Sequence, residues 1–136
     1  MVVTRSEGEQ LPEHTYRVTR DDLVRYAAAS GDQNPIHQDE AVATAVGLPG
    51  VIAHGMYTLA LAARSADAWA GGPGRVRDLG AKFTKPVVVP AGDEGALVTV
   101  AGTVRAVAED GAVTVALEVT CAGEKVLGGA TAVLDG

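Results

Sequence analysis

H-G-M-Y-T-L-A-L-A-A-R-S-A-D-A-W-A, residues 54–70, is the stretch on which the fold turns. Met56, Leu59, Ala60, Leu61, Ala62 and Ala63 leave little polar face in its first turns. A helix apolar nearly all round is one that expects to be surrounded by the rest of its domain. At its full span it would be about 25 Å long, the width of a small domain.

C-terminal to this helix, from Val76 onward, the pattern changes to period two. Val98, Val100 and Val104 alternate with Thr99 and Thr103; Val113, Val115, Leu117 and Val119 alternate with Thr114 and Thr120. Such alternation marks strands with one buried face. Asp110-Gly111 between the two runs is the expected chemistry of a tight hairpin, and Gly123 marks a second turn before a strand from Lys125 to Leu134. Long antiparallel strands following one buried helix make an α+β domain, its sheet curved around the helix.

N-terminal to it lie a short extended piece, His14 to Val18, and then T-R-D-D-L-V-R-Y-A-A-A-S. Thr19 followed by Asp22 is a capping pattern, and Leu23, Tyr26 and Ala27 share one helical face. Gly31 ends that helix, and Pro35 prevents Asp32 to His37 from continuing it. A short second helix is expected from about Asp39 to Val46, stopped by Gly47 and Pro49.

The chain has 136 residues, 47% of them hydrophobic, which suits one domain over residues 1–136 with a core of its own. Cys121 is the one cysteine, so neither an intrachain disulfide nor a cysteine-held metal is available. Residues 1–10 lack the basic start and apolar run of a secretory signal, and no stretch reaches the roughly 18 apolar residues of a membrane span. The expectation is a soluble cytoplasmic protein without membrane partners. A formal charge of −6, with one Phe and one Trp, disfavours nucleic-acid binding through phosphates or stacked bases.

The densest cluster of chemically capable residues is S-G-D-Q-N-P-I-H, Ser30 to His37. Asp32 and His37 flank a proline on a segment that should be irregular and rigid. Held a water molecule apart, they can orient that water and exchange protons with it. Asn34 either pins the turn or holds the pair. The plainer alternative is turn chemistry, with Asp32 capping backbone donors and His37 a partly exposed polar residue. The second cluster is V-I-A-H-G-M-Y, Val51 to Tyr57, where the helix begins. Gly55 permits close approach of a ligand to backbone N–H groups carrying partial positive charge. Such a group can stabilise a carbonyl oxygen that gains negative charge. Alternatively Gly55 only allows a tight turn and close packing. For His54 a packing or hydrogen-bonding role at the helix start is expected.

S-G-D-Q-N-P-I-H followed by A-H-G-M resembles the MaoC-like hydratase/dehydratase family, the hydratase 2 type. The pattern G-D-x-N-P-[apolar]-H is matched at Gly31, Asp32, Asn34, Pro35, Ile36 and His37, and A-H-G-M at Ala53 to Met56. R-D-L-G-A-K-F-T-K-P-V-V-V-P-A-G-D looks like the family's strand and loop after the central helix. Within the family, D-Q-N-P-I-H-Q-D-E, V-G-L and V-I-A-H-G-M look most similar to HadB-like subunits of actinobacterial (R)-3-hydroxyacyl-ACP dehydratases. The resemblance implies a hot-dog fold, an antiparallel sheet wrapped around one long helix. It also implies a homodimer, or a heterodimer with a related hot-dog subunit. Some members place a serine about two helical turns after the glycine of H-G-M. Ala63 stands near that position here, so Ser65 or a backbone group substitutes, or the support is absent.

The activity so implied is that of a hydro-lyase: syn hydration of a trans-2-enoyl thioester, or dehydration of the (R)-3-hydroxyacyl thioester, in fatty-acid synthesis on acyl carrier protein. Asp32 and His37 would hold one water at the β-carbon, and the Gly55 N–H would bind the thioester oxygen. No metal or redox cofactor is required. Arg75, Arg77, Lys82 and Lys85 form a basic stretch suited to CoA phosphates or an acidic carrier protein, or else a solvated strand face. A hot-dog acyl-CoA thioesterase, a non-catalytic acyl-binding partner subunit and an (R)-specific enoyl-CoA hydratase of fatty-acid degradation are the competing readings.

Overall fold

The computed structural model describes residues 4–136. Strand β1 (Gln10–Val18) leads into helix α1 (Arg20–Ser30), then a single 3-10 turn at Pro35–His37, helix α2 (Glu40–Ala45) and helix α3 (Gly55–Trp69). Strands β2 (Val76–Phe83), β3 (Ala96–Val107), β4 (Val113–Cys121), β5 (Glu124–Lys125) and β6 (Leu127–Leu134) complete the chain. The strands form one antiparallel sheet in the order β1-β3-β4-β6-β2, with β5 paired to β4. Helix α3 packs against β1, β2, β3 and β6, so one helix serves both edges and the middle of the sheet. This is the α+β hot-dog arrangement.

The alternating residues of β3 and β4 supply one wall of the core. Val98, Val100, Val115 and Val119 are fully buried. From α3, Leu61, Ala62, Ala66 and Trp69 are buried in the same core. Gly102 shows how closely they meet, since a Cβ there would stand 2.7 Å from the Trp69 ring. The expectation that α3 is enclosed all round needs correction. Met56, Ala60 and Arg64 recur at helical spacing and are exposed, so the helix lies on the sheet with one stripe facing outward.

The helix boundaries follow their capping chemistry. Thr19 and Asp22 close a reciprocal capping box on α1, and Gly31 ends it in the left-handed conformation, φ 81°. Asp39 caps α2 through Ala41 and Val42 N–H. Differences lie among the strands. β1 begins at Gln10 rather than His14, with a register shift between Leu11 and His14 where Pro12 cannot donate to the ladder. The β3–β4 connection is not a two-residue hairpin. β3 runs on to Val107, and the loop closes through Ala108 N–H to Ala112 O at 2.8 Å. The tight hairpin is instead Ala122-Gly123, both at positive φ (51° and 79°), which twists β4 into β5.

Candidate active site

The segment between α1 and α2 is held by its own side chains. Ser30 Oγ accepts from Asp32 N–H at 3.2 Å, Asp32 Oδ1 accepts from Asn34 N–H at 3.2 Å, and Asn34 Oδ1 accepts from Ile36 N–H at 3.2 Å. Asn34 also offers its carbonyl to His37 N–H at 3.1 Å. Asn34 therefore pins the turn. Asp32 does cap a backbone donor, but a carboxylate has two oxygens, and this one is exposed. Capping and proton transfer are not exclusive here.

His37 is buried, and its Nδ1 stands 2.7 Å from the carbonyl oxygen of Ile52. A carbonyl only accepts, so Nδ1 carries the proton and donates. In the neutral ring Nε2 is then left with the free lone pair, the state a general base requires. The backbone of Ile52 is itself fixed by a bridge to Val88, and Ala53 N–H donates to Val87 O at 2.9 Å. The sequence thus ties His37 to the stretch following β2 through a carbonyl that carries no side-chain signature.

His54 sits behind both groups. Its Nε2 donates to the Asp32 carbonyl at 3.1 Å, its ring stacks on His37, and Tyr26 meets it edge-on with centroids 4.8 Å apart. Its Nδ1 is buried without a hydrogen-bond partner among the described residues. Tyr57 meets Tyr26 at 90°. Burial, assisted by the Asp22 carboxylate, raises the Tyr57 hydroxyl above its ordinary pKa, so this aromatic backing stays uncharged. Asp32, His37 and His54 each offer a ligand-type atom, all within 4.8 Å of one another. One water hydrogen-bonded to two groups at about 2.8 Å each spans such a gap. A carboxylate and two imidazoles are also donor types that a divalent ion accepts.

Gly55 opens α3, and no side chain caps that end, so its N–H has no intrahelical acceptor. Its φ is not positive, which removes the tight-turn reading. Close packing is real, however. A Cβ at position 55 would stand 3.1 Å from the ring of Phe83. A cavity of about 330 Å³ opens beside Gly55, lined by His37 and Thr58 and by the apolar Ile52, Val87, Val126 and Leu127.

A model of the MaoC like domain matches residues 2–122. The chain belongs to the MaoC-like domain family. Over 80 residues this MaoC-like domain is 45% identical to 3-hydroxyacyl-thioester dehydratase X of Mycobacterium tuberculosis, a match covering 59% of this chain and 28% of that relative. A solved structure titled MaoC-like dehydratase superposes with TM-score 0.92 at 39% identity, covering 96% of this chain and 40% of the other. The unliganded R-hydratase of Pseudomonas aeruginosa superposes with TM-score 0.82 at 30% identity, covering 96% and 82%. The match spans about a quarter of the length of the two mycobacterial dehydratases and 3–4% of the fungal fatty acid synthase subunits that the chain also resembles.

In the MaoC-like domain the basic stretch and Ser65 lie apart from one another. The four basic residues do not converge. Arg77 pairs with Asp110 at 3.2 Å and also with Asp135, about 20 Å along β2 from Phe83. Arg75 sits beside it, exposed, whereas Lys85 lines the cavity with His37 and pairs with Glu124 at 2.9 Å. Lys82 is exposed on β2. Ser65 is spoken for as well. Its hydroxyl meets His14 Nδ1 at 2.9 Å and Tyr16 Oη at 2.7 Å, on the side of α3 that faces β1. The group that holds His37 Nδ1 is a backbone one, the Ile52 carbonyl. Phe83 was missed entirely, although it begins the F-T-K-P-V run noted after the central helix.

Proposed function

We infer that this domain hydrates trans-2-enoyl thioesters to (R)-3-hydroxyacyl thioesters and catalyses the reverse dehydration. The observation carrying this reading is the approach of Asp32 and His37 to one water's span beside Gly55, which borders both the apolar cavity lined by His37 and the space lined by Asp32. A hydration needs those parts and no others: a water placed at the β-carbon, a proton delivered to the α-carbon, and a donor for the oxygen as enolate character develops. His37 Nε2 is free to take the water's proton. The Asp32 carboxylate accepts the water's other hydrogen bond and holds it at the β-carbon, and the imidazolium formed on His37 delivers its proton to the α-carbon on the same face. The Gly55 N–H polarises the thioester carbonyl, aided by the positive end of α3.

The acyl chain is the part of the substrate suited to the apolar cavity. Acyl carrier protein or CoA is its carrier, with Lys85 the basic residue best placed to meet a phosphate at the rim. A hydro-lyase is preferred to a thioesterase because the relatives that the domain resembles are named 3-hydroxyacyl-thioester dehydratases and an R-hydratase. Pairing with a second hot-dog domain, identical or related, fits the exposure of Met56 and Phe83 (57% each) beside the site. The test is the ultraviolet absorbance of crotonyl-CoA and longer enoyl thioesters over time, with and without a co-expressed sister subunit. Disappearance of the conjugated band with formation of the (R)-3-hydroxy product supports the reading. Release of free thiol instead overturns it in favour of thioester hydrolysis.

A further inference from the structure

The two members of the proposed acid–base pair open into different spaces. His37 lines the cavity of about 330 Å³, whereas Asp32 lines a second one of about 320 Å³ with Tyr26, Ser30 and Met56. The lining residues the two spaces share are Gly55 and Phe83. Gly55 is fixed as the first residue of α3. Phe83 lies at the end of β2, more than half exposed, with its ring edge 3.1–3.2 Å from the Cβ position of residue 55. A substrate served by both Asp32 and His37 must therefore pass the boundary where the Phe83 ring stands.

The chemistry locates which substrate atom meets that ring. A thioester oxygen hydrogen-bonded to the Gly55 N–H places the α-carbon, two bonds further on, within about 5 Å of that nitrogen. The Phe83 ring, 3.1–3.2 Å from the Cβ position of residue 55, stands at a comparable distance from that nitrogen. Space there is so limited that a single methyl group on residue 55 would already press on the ring. A methyl branch on the substrate's α-carbon that turns to this side of Gly55 meets the same ring. We propose that Phe83 makes this site selective for acyl thioesters unbranched at the α-carbon. The proposal rests on the hydration reading for the placement of the thioester. The selectivity itself is a matter of shape and is visible in binding alone.

The experiment compares the full chain with Phe83→Ala and Phe83→Leu, after thermal melting has shown each variant folded. Hydration of crotonyl-CoA and 2-methylcrotonyl-CoA gives one specificity ratio. Calorimetric binding of the unreactive butyryl-CoA and isobutyryl-CoA gives another. One misplaced methyl in a shaped pocket is worth about tenfold or more, so the native chain should prefer the unbranched member of each pair by at least that factor. Phe83→Ala should reduce the preference at least about fivefold, with Phe83→Leu between. Equal treatment of both members by the native chain, or a preference that survives Phe83→Ala, overturns the proposal. If the native chain fails to hydrate crotonyl-CoA while the binding preference is present and is lost in Phe83→Ala, the hydration reading falls and the selectivity stands. If neither saturated thioester binds, the hydration ratio alone decides the selectivity, and if crotonyl-CoA is not hydrated either, both fall.

Discussion

The imidazole rings of His37 and His54 lie face to face, their centroids 3.8 Å apart and their planes 24° from parallel. Each ring spends one nitrogen on a backbone carbonyl, His37 on Ile52 and His54 on Asp32. His54 thus touches both members of the proposed acid–base pair, one through its face and the other through its edge. Replacing it with Phe keeps a flat ring against His37 and deletes the bond to Asp32. His54→Phe should lower kcat about tenfold with KM little changed, since an interaction made for geometry rather than for binding is lost. A steady-state comparison with enoyl-CoA checks this, and a rise in KM at constant kcat would assign His54 to substrate binding instead.

Asp32→Asn and His37→Ala should each lower turnover by at least ~100-fold, the scale of lost acid–base catalysis. Asn can still accept from the Asn34 N–H, so the turn survives and the melting temperature of Asp32→Asn should stay close to native. Near-native hydration by both folded variants would remove the pair from the mechanism.

Gly55→Ala separates the two roles of its position. The added methyl meets the Phe83 ring at 3.1 Å, a few tenths of an ångström inside ordinary contact, a strain small beside what unfolding the helix start would need. Alanine is otherwise a better helix residue than glycine. The variant should melt within a few degrees of native, yet lose about tenfold or more in kcat/KM as the methyl intrudes beside the carbonyl site. Loss of folding without a specific loss of activity would make Gly55 a packing residue only.

Ser65→Ala should do the opposite. It strips a partner from both His14 and Tyr16 in a fully buried position, for which about 1–3 kcal/mol of stability is the expected cost. Activity of the folded variant should remain within a few-fold of native. Denaturant titration beside the enoyl-CoA assay gives both numbers, and a selective loss of turnover would return Ser65 to the active site.

Partial burial works to raise the pKa of Asp22, but hydrogen bonds from the Thr19 N–H and hydroxyl, with Arg25 beside them, hold it below the usual value. A group whose folded pKa is depressed contributes stability above its unfolded pKa, about 3.9, and loses it as pH falls through the lower folded value. The stability difference between native and Asp22→Ala chains should therefore be constant from neutral pH to about 5 and shrink below about 4. Unfolding curves at a series of pH values read it directly, and a difference that grows with acidity would contradict the capping account.

What was legible in the sequence was what side chains announce. Thr19, Asp22 and Gly31 marked both ends of α1, and the valine alternation marked β3 and β4. The motif residues Asp32 and His37 did converge. What stayed hidden depends on backbone atoms or on distant packing. The carbonyl of Ile52 fixes the His37 tautomer, yet any residue at position 52 has a carbonyl. The outward stripe of α3 was invisible because alanine reads as apolar whether it faces core or solvent. The nearness of Phe83 to Gly55 depends on how β2 returns across the start of α3, a long-range pairing that no local pattern encodes.

The hydrogen bonds and ring contacts that hold Asp32, His37 and His54 in place come from residues between Tyr26 and Val88, a contiguous stretch of chain. The direct supports of these groups are therefore local in sequence, whereas the cavity that His37 faces is closed by Val126 and Leu127, and α3 rests on β1, β3 and β6. The placement of the paired groups and the shape of the acyl space are thus set by different parts of the chain. Natural variation among its descendants should then concentrate in the walls that choose the substrate.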